Sequence, residues 1–207
     1  MMSTPKLPEL PELTFEERRH IYRLRGFEIP SVSTIMQPLS EDVYGSINED
    51  VLSKAADRGT AVHNAIDNYV KFGVEDIPPE HMGYFQAFLK WYEDYDVKPY
   101  ETEYRAYHKG LLYAGTLDMM ASVKGEDTLV DFKTTASINE MLWRVQTEAY
   151  NKALASHYFQ ICFFKKMVVQ LKKDGDYNVV SFKAVDTDSW KVFTALLTVR
   201  NFKQKYS

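Results

Sequence analysis

The chain has 207 residues, 45% of them hydrophobic and 26% charged, and a formal net charge of −4. That balance supports a buried core in one compact domain and excludes a disordered chain. A single cysteine, Cys162, excludes an internal disulfide, a four-cysteine zinc site and a cysteine-bound iron–sulfur cluster. No run of 18 apolar residues is present, and prolines and glutamates break MMSTPKLPELPEL where a secretory signal would be apolar. The expectation is a soluble, cytoplasmic protein with no membrane partner. The net charge hides an asymmetry: residues 1–120 carry 12 Lys and Arg against 20 Asp and Glu, residues 121–207 carry 13 against 9. A phosphate-binding surface needs a local positive field rather than a high overall charge, so a polyanionic partner stays open.

Residues 1–28 read as an N-terminal extension, partly flexible, and residues 29–207 as one domain. In SINEDVL, Ser46 and Glu49 have capping-box spacing and open a helix of about 20 residues. Its apolar stripe runs through Leu52, Ala55, Gly59, Val62, Ile66 and Tyr69 to an end at Phe72-Gly73. Gly59 within it suggests a close approach of helix to sheet. PPEHMGYFQAFLKWYEDY predicts a second helix with Phe85, Phe88, Leu89 and Tyr92 on its core side. The period then changes. YETEYRAY alternates, LLYAGTLDMMASV continues as a strand, KGED (124–127) turns, and TLVDFKT is a short apolar strand, which together make a three-stranded meander. Ser137 and Glu140 repeat the capping spacing ahead of a helix to about His157. FQICFFKKMVVQLKK and NVVSFKAV read as a hairpin, and DTDSWKVFTALLTVRNFKQKY as a closing helix with a basic end. The fold class is α+β, an α/β sandwich in which helices flank a mixed central sheet, in the order α-(α)-β-β-β-α-β-β-α.

The sharpest chemical feature is Asp118 followed by Asp131-Phe132-Lys133. Strand alternation points Asp131 and Lys133 to one side and Phe132 to the other. The short KGED turn sets Asp118 opposite Asp131. Two neighbouring buried carboxylates repel and are poorly solvated, so they invite a divalent cation, and oxygen ligands suit Mg²⁺ or Mn²⁺. A lysine beside such an ion can hold and polarise a water. A surface Asp–Lys pair on an exposed strand is the alternative. His63 suits either a hydrogen-bonded boundary position or a metal ligand. Gln146 and Tyr150, at i and i+4, can orient a water or phosphate, or form a helix shoulder on the sheet. Glu103 carries the weakest signal, because an alternating strand puts glutamate on its wet face without special reason.

The strings RGTAVHN, ETEYRAYH, GTLDMM, VDFKTT and QTEAY resemble, in order, the motifs of the RecB-like branch of the PD-(D/E)XK nucleases, and IPSVSTIM resembles a segment upstream of them in phage-type exonucleases. The resemblance spans about residues 29–156. It implies a restriction-endonuclease-like core and metal-dependent hydrolysis of DNA, by an exonuclease, in phage-type recombination, repair or processing within the host cytoplasm. It implies one or two Mg²⁺ or Mn²⁺ ions held by His63, Asp118, Asp131 and the Phe132 carbonyl. Lys133, Asp131, Asp118 and Glu103 would act in catalysis; Gln146, Tyr150, Arg58, Ser31 and Ser33 would contact substrate. The implied partner is DNA at an end or a single-stranded region. With no G-x-x-x-x-G-K-S/T loop, any helicase motor or recombination partner would be another protein. Arg144, Lys152, Lys165, Lys166, Lys172 and Lys173 could track phosphates, and Trp143, Tyr107 and Tyr113 could stack bases. A non-catalytic nucleic-acid-binding or assembly module on the same fold is the alternative.

Overall fold

A computed structural model describes residue 7, residues 9–157 and residues 165–207. The expected meander forms from β4 (Lys98–Tyr107), β5 (Ala114–Val123) and β6 (Glu126–Lys133), paired antiparallel. The β5–β6 turn is tighter than expected. Val123 pairs with Glu126, leaving Lys124 (φ 50°) and Gly125 (φ 83°) as a two-residue connection of the left-handed type that matches strand twist. After α4 (Glu140–Ala155), β7 (Lys165–Leu171) lies parallel to β6, and β8 (Tyr177–Phe182) pairs antiparallel with β7. The result is a five-stranded mixed sheet in the order β4-β5-β6-β7-β8. The beginning of the expected FQICFF strand, Cys162 included, lies outside the described residues.

Helices cover both faces. α2 (Glu49–Phe72) and α3 (Met82–Asp94) pack Val62, Ile66, Phe85, Phe88 and Trp91 against Met119, Val130, Phe132 and Val169. α1 (Val32–Tyr44), α4 and α5 (Thr187–Tyr206) cover the other side, where Met120, Leu129, Val168 and Phe182 meet Ile35, Trp143, Leu154 and Phe193. Each helix offers one apolar stripe and each interior strand two apolar faces, so a three-layer stack buries both. No helix among the described residues is long and apolar enough to cross a membrane.

Several local expectations are corrected. α2 is capped by Asn48, which accepts from the Asp50 N–H, and α4 by Asn139, which accepts from the Leu142 N–H; Ser46 and Ser137 are not the caps. Asn is as good an N-cap as Ser, so spacing alone could not choose. Leu52 is exposed, Leu89 and Tyr92 are half-buried, and the fully buried Trp91 takes the place expected of them. A Cβ on Gly59 would meet only Thr134 Oγ1, at 3.9 Å, so no tight helix–sheet approach requires glycine there. The largest difference is at the N-terminus. β1 (Leu13–Glu16), β2 (Ile21–Leu24) and β3 (Phe27–Ile29) form a separate antiparallel sheet, and the expected boundary at 28/29 cuts through β3. Leu13, Tyr22 and Ile29 pack on Tyr107 and Ala114, so this segment is part of the folded body.

Candidate functional site

The site arises where two strands part. β5 and β6 pair as far as Met119 and Val130; beyond that, β5 continues along β4 to Ala114, while β6 continues along β7 to Lys133. Asp118 is the first β5 residue past the fork. Its Oδ2 accepts the Phe132 N–H at 2.7 Å, so a carboxylate satisfies the backbone donor that the diverging ladder leaves free. On the other side, Thr102 pairs with Met119 and Tyr104 with Leu117, which sets Glu103 opposite Asp118. Glu103 has φ 51°, a left-handed conformation in mid-strand. For a non-glycine residue such backbone costs on the order of 1–3 kcal/mol and is commonest at functional sites.

His63 of α2 closes the cluster. Its Nδ1 lies 3.4 Å from Asp118 Oδ1 and 3.7 Å from Glu103 Oε1, and its Nε2 lies 3.2 Å from the Phe132 carbonyl oxygen. Burial disfavours the imidazolium, yet the Asp118 and Glu103 carboxylates outweigh it and hold His63 well above the ordinary histidine range. The imidazolium is then the cation that balances this pair. Burial raises Asp118, but His63, Lys133 and the Phe132 N–H bring it below the usual carboxylate range. Asp131 goes the other way. Burial and the Asp118 charge push it up to about 6 despite Lys133, whose Nζ lies 2.6 Å from Asp131 Oδ2 without hydrogen-bond alignment. Burial disfavours the Lys133 ammonium, but Asp131 and Asp118 raise it above the usual lysine range.

One ligand atom each from His63, Glu103 and Asp118 lies within 4.8 Å of the other two. A nitrogen and two carboxylate oxygens are a donor set that suits Mn²⁺ or Mg²⁺. Two of the expected ligands, His63 and Asp118, are in this cluster, and Glu103, expected among the catalytic residues, is the third member. Asp131 is engaged with Lys133, and the Phe132 carbonyl lies 3.2 Å from His63 Nε2. The sequence gives no sign of the Glu103 backbone conformation, which is why alternation misjudged it.

These groups line a cleft of about 480 Å³ that also takes in Ser31, Ser33, Gln146 and Tyr150. Gln146 Nε2 donates to the Tyr150 hydroxyl at 3.0 Å, and the Tyr150 ring lies on Gly115, where a Cβ would come 2.5 Å from Cε1. Burial, then Asp131 and Asp118, hold the Tyr150 phenol well above its ordinary range, so it stays a neutral donor. Ser31 Oγ caps α1 by accepting the Thr34 N–H at 3.0 Å and sits 2.8 Å from Ser33 Oγ, which leaves Ser33 the more exposed of the two.

Neither a protein-family model nor a curated protein matches the chain.

The other residues expected to meet substrate have the following surroundings. Arg58 is not on the cleft wall; it donates to the Thr134 carbonyl at 3.0 Å and lies over the Tyr84 ring, tying α2 to the end of β6. Lys166 is fully buried against Glu148, and Arg144, Lys152, Lys165 and Lys172 pair with Asp186, Glu148, Glu126 and Asp176. Trp143, Tyr107 and Tyr113 are core. The wall that sequence reasoning missed comes from the small sheet and its neighbours: Phe15, His20 and Tyr22, with Arg105 and Thr116 from β4 and β5.

Proposed function

We propose that the chain is a divalent-metal-dependent nuclease that hydrolyses phosphodiester bonds at DNA ends, on a restriction-endonuclease-like core. The observation that carries the reading is the convergence of His63, Glu103, Asp118, Asp131 and Lys133 on one strand fork, in a cleft open to solvent. Three acidic groups, an imidazole and an ammonium share this space, and an arrangement so costly in repulsion and desolvation is expected where chemistry uses it.

Glu103, Asp118 and His63, the last after giving up its Nδ1 proton, would hold Mg²⁺ or Mn²⁺, which would supply charge neutralisation for the diester and lower the pKa of a nearby water. Lys133, fixed by Asp131, provides a positive charge where negative charge develops on the phosphoryl oxygens. Asp131 accepts a hydrogen bond from the attacking water and orients it. The water oxygen bonds to phosphorus, one P–O ester bond breaks, and the water's proton goes to the departing sugar oxygen. The products are a phosphate monoester and a free hydroxyl. Tyr150, neutral and held by Gln146, donates to a non-bridging oxygen.

The test is incubation with end-labelled linear, circular and single-stranded DNA in Mg²⁺, Mn²⁺ or chelator. Expected is metal-dependent shortening of DNA with ends, reduced at least about 100-fold in Lys133→Met, the size typical of losing one electrostatic stabiliser. The circular dichroism spectrum of the variant should match the native one. Undiminished cleavage by the folded variant overturns the reading.

A further inference from the structure

The small N-terminal sheet has no part in the hydrolysis just described, yet it forms one wall of the same cleft. We infer that this wall is a base-stacking subsite: Phe15 and His20 take the unpaired nucleobase beside the phosphate to be cut, and Arg105 takes a flanking phosphate, so that the ligand is a single strand. The inference rests on the nuclease reading and deepens it.

The wall is built rather than incidental. Phe15, His20 and Tyr22 interlock, with ring centroids 5.1 Å apart for Phe15–His20, edge to face, and 4.5 Å apart for Phe15–Tyr22. Tyr22 is 1% exposed and anchors the group: its hydroxyl lies 2.7 Å from Thr116 Oγ1, two residues before Asp118 on β5. Phe15 is half-buried and His20 exposed at the end of the 3-10 turn Glu17–Arg19, where φ 51° directs the chain back into β2. Arg105 stands two residues after Glu103 on β4, with its guanidinium 5.0 Å from the Phe15 ring centroid. Its ion pair with Glu17 is long, 3.5 Å, and exposed, so little is lost when the guanidinium turns to a phosphate.

Size and chemistry select the ligand. A cleft of about 480 Å³ is in the range that encloses one small ligand, about the scale of an unpaired nucleotide. Every base has a π face, so an aromatic wall beside a guanidinium binds unpaired nucleotides with little regard to sequence. Trp143, Tyr107 and Tyr113, the aromatics expected from the sequence to stack bases, are buried.

The experiment measures binding in chelator, which separates it from cleavage. The probe is a single-stranded oligonucleotide ending in 2-aminopurine; the comparison strand has the same length and abasic terminal positions. The native protein is expected to quench the fluorophore and to bind the base-containing strand about tenfold or more tightly than the abasic one, the size of a lost stacking contact. His20→Ala, and independently Phe15→Leu, should abolish the quenching and reduce that preference toward unity. Equal affinity of the native protein for the two strands overturns the inference, as does a preference that survives both substitutions. If Lys133→Met abolishes cleavage in those cases, the nuclease reading stands without the stacking wall. Native protein that cuts no DNA with Mn²⁺ removes the nuclease reading and this subsite with it.

Discussion

Asp131→Asn should make the metal-free protein more stable at pH 8. Asp131 is 1% exposed, and burial together with the Asp118 charge raises its carboxyl from the ordinary 3.8 to about 6. A raised carboxyl holds its proton more tightly in the folded state, so the stability it contributes is full below about pH 4 and is lost as pH rises through 6. At pH 8 the loss is complete and amounts to about 3 kcal/mol. Asparagine keeps the shape and removes the charge, so this figure is the ceiling of the gain, equal to about 6–12 °C in Tm for a chain of this size. Lys133 retains Asp118 as a neighbouring anion. Urea and thermal unfolding in chelator, at pH 4 and pH 8, should show a stabilised variant at pH 8 and a difference near zero at pH 4. A variant no more stable than the native protein at pH 8 would refute the argument that the site is electrostatically strained.

Two further outcomes are expected. Lys166→Met leaves the fully buried Glu148 carboxylate, among the described residues, with the Asp186 N–H and Lys152 at 3.6 Å, and should lower stability by about 3–5 kcal/mol; adding Glu148→Gln should recover most of the loss in the same urea titration. Gly115→Ala places a Cβ 2.5 Å from Tyr150 Cε1 and must move the ring away from Gln146, so cleavage should fall by about tenfold or more, while the urea midpoint reports an overpacking cost of about 1–3 kcal/mol.

The five-stranded sheet and four of the helices were legible because their signals are local and periodic: alternation in YETEYRAY, the apolar run around Phe132, and 3.6-residue stripes through Val62 and Phe88. The approach of Asp118 to the Asp131–Phe132 segment followed from the shortness of the intervening turn, although the ladder ends one pair earlier, at Met119 and Val130. What escaped had no periodic signal. Helix α1 has Pro38 in its interior, and β1 to β3 are three or four residues each, too short for alternation to register. Glu103 is named for the site by the resemblance alone, because the backbone conformation with which it stands there is not announced by residue type. Of the acids that pair with the basic residues of the C-terminal half, Glu126 meets Lys165, Glu148 meets Lys166 and Asp186 meets Arg144 only through tertiary folding, whereas Lys152–Glu148 and Lys172–Asp176 are i,i+4 pairs that the spacing already offered.

One feature of the small sheet bears on how such a protein can diversify. The segment that presents His20 is closed at its base by the pairing of Glu16 with Ile21. Residues 17–20 can therefore lengthen, shorten or change chemistry without shifting a single rung of either ladder. On the proposed reading, ligand preference and bond-breaking machinery would sit on separately replaceable parts of the chain, and exchanging this four-residue rim would redirect the cleft while Asp118, Asp131 and Lys133 keep their places.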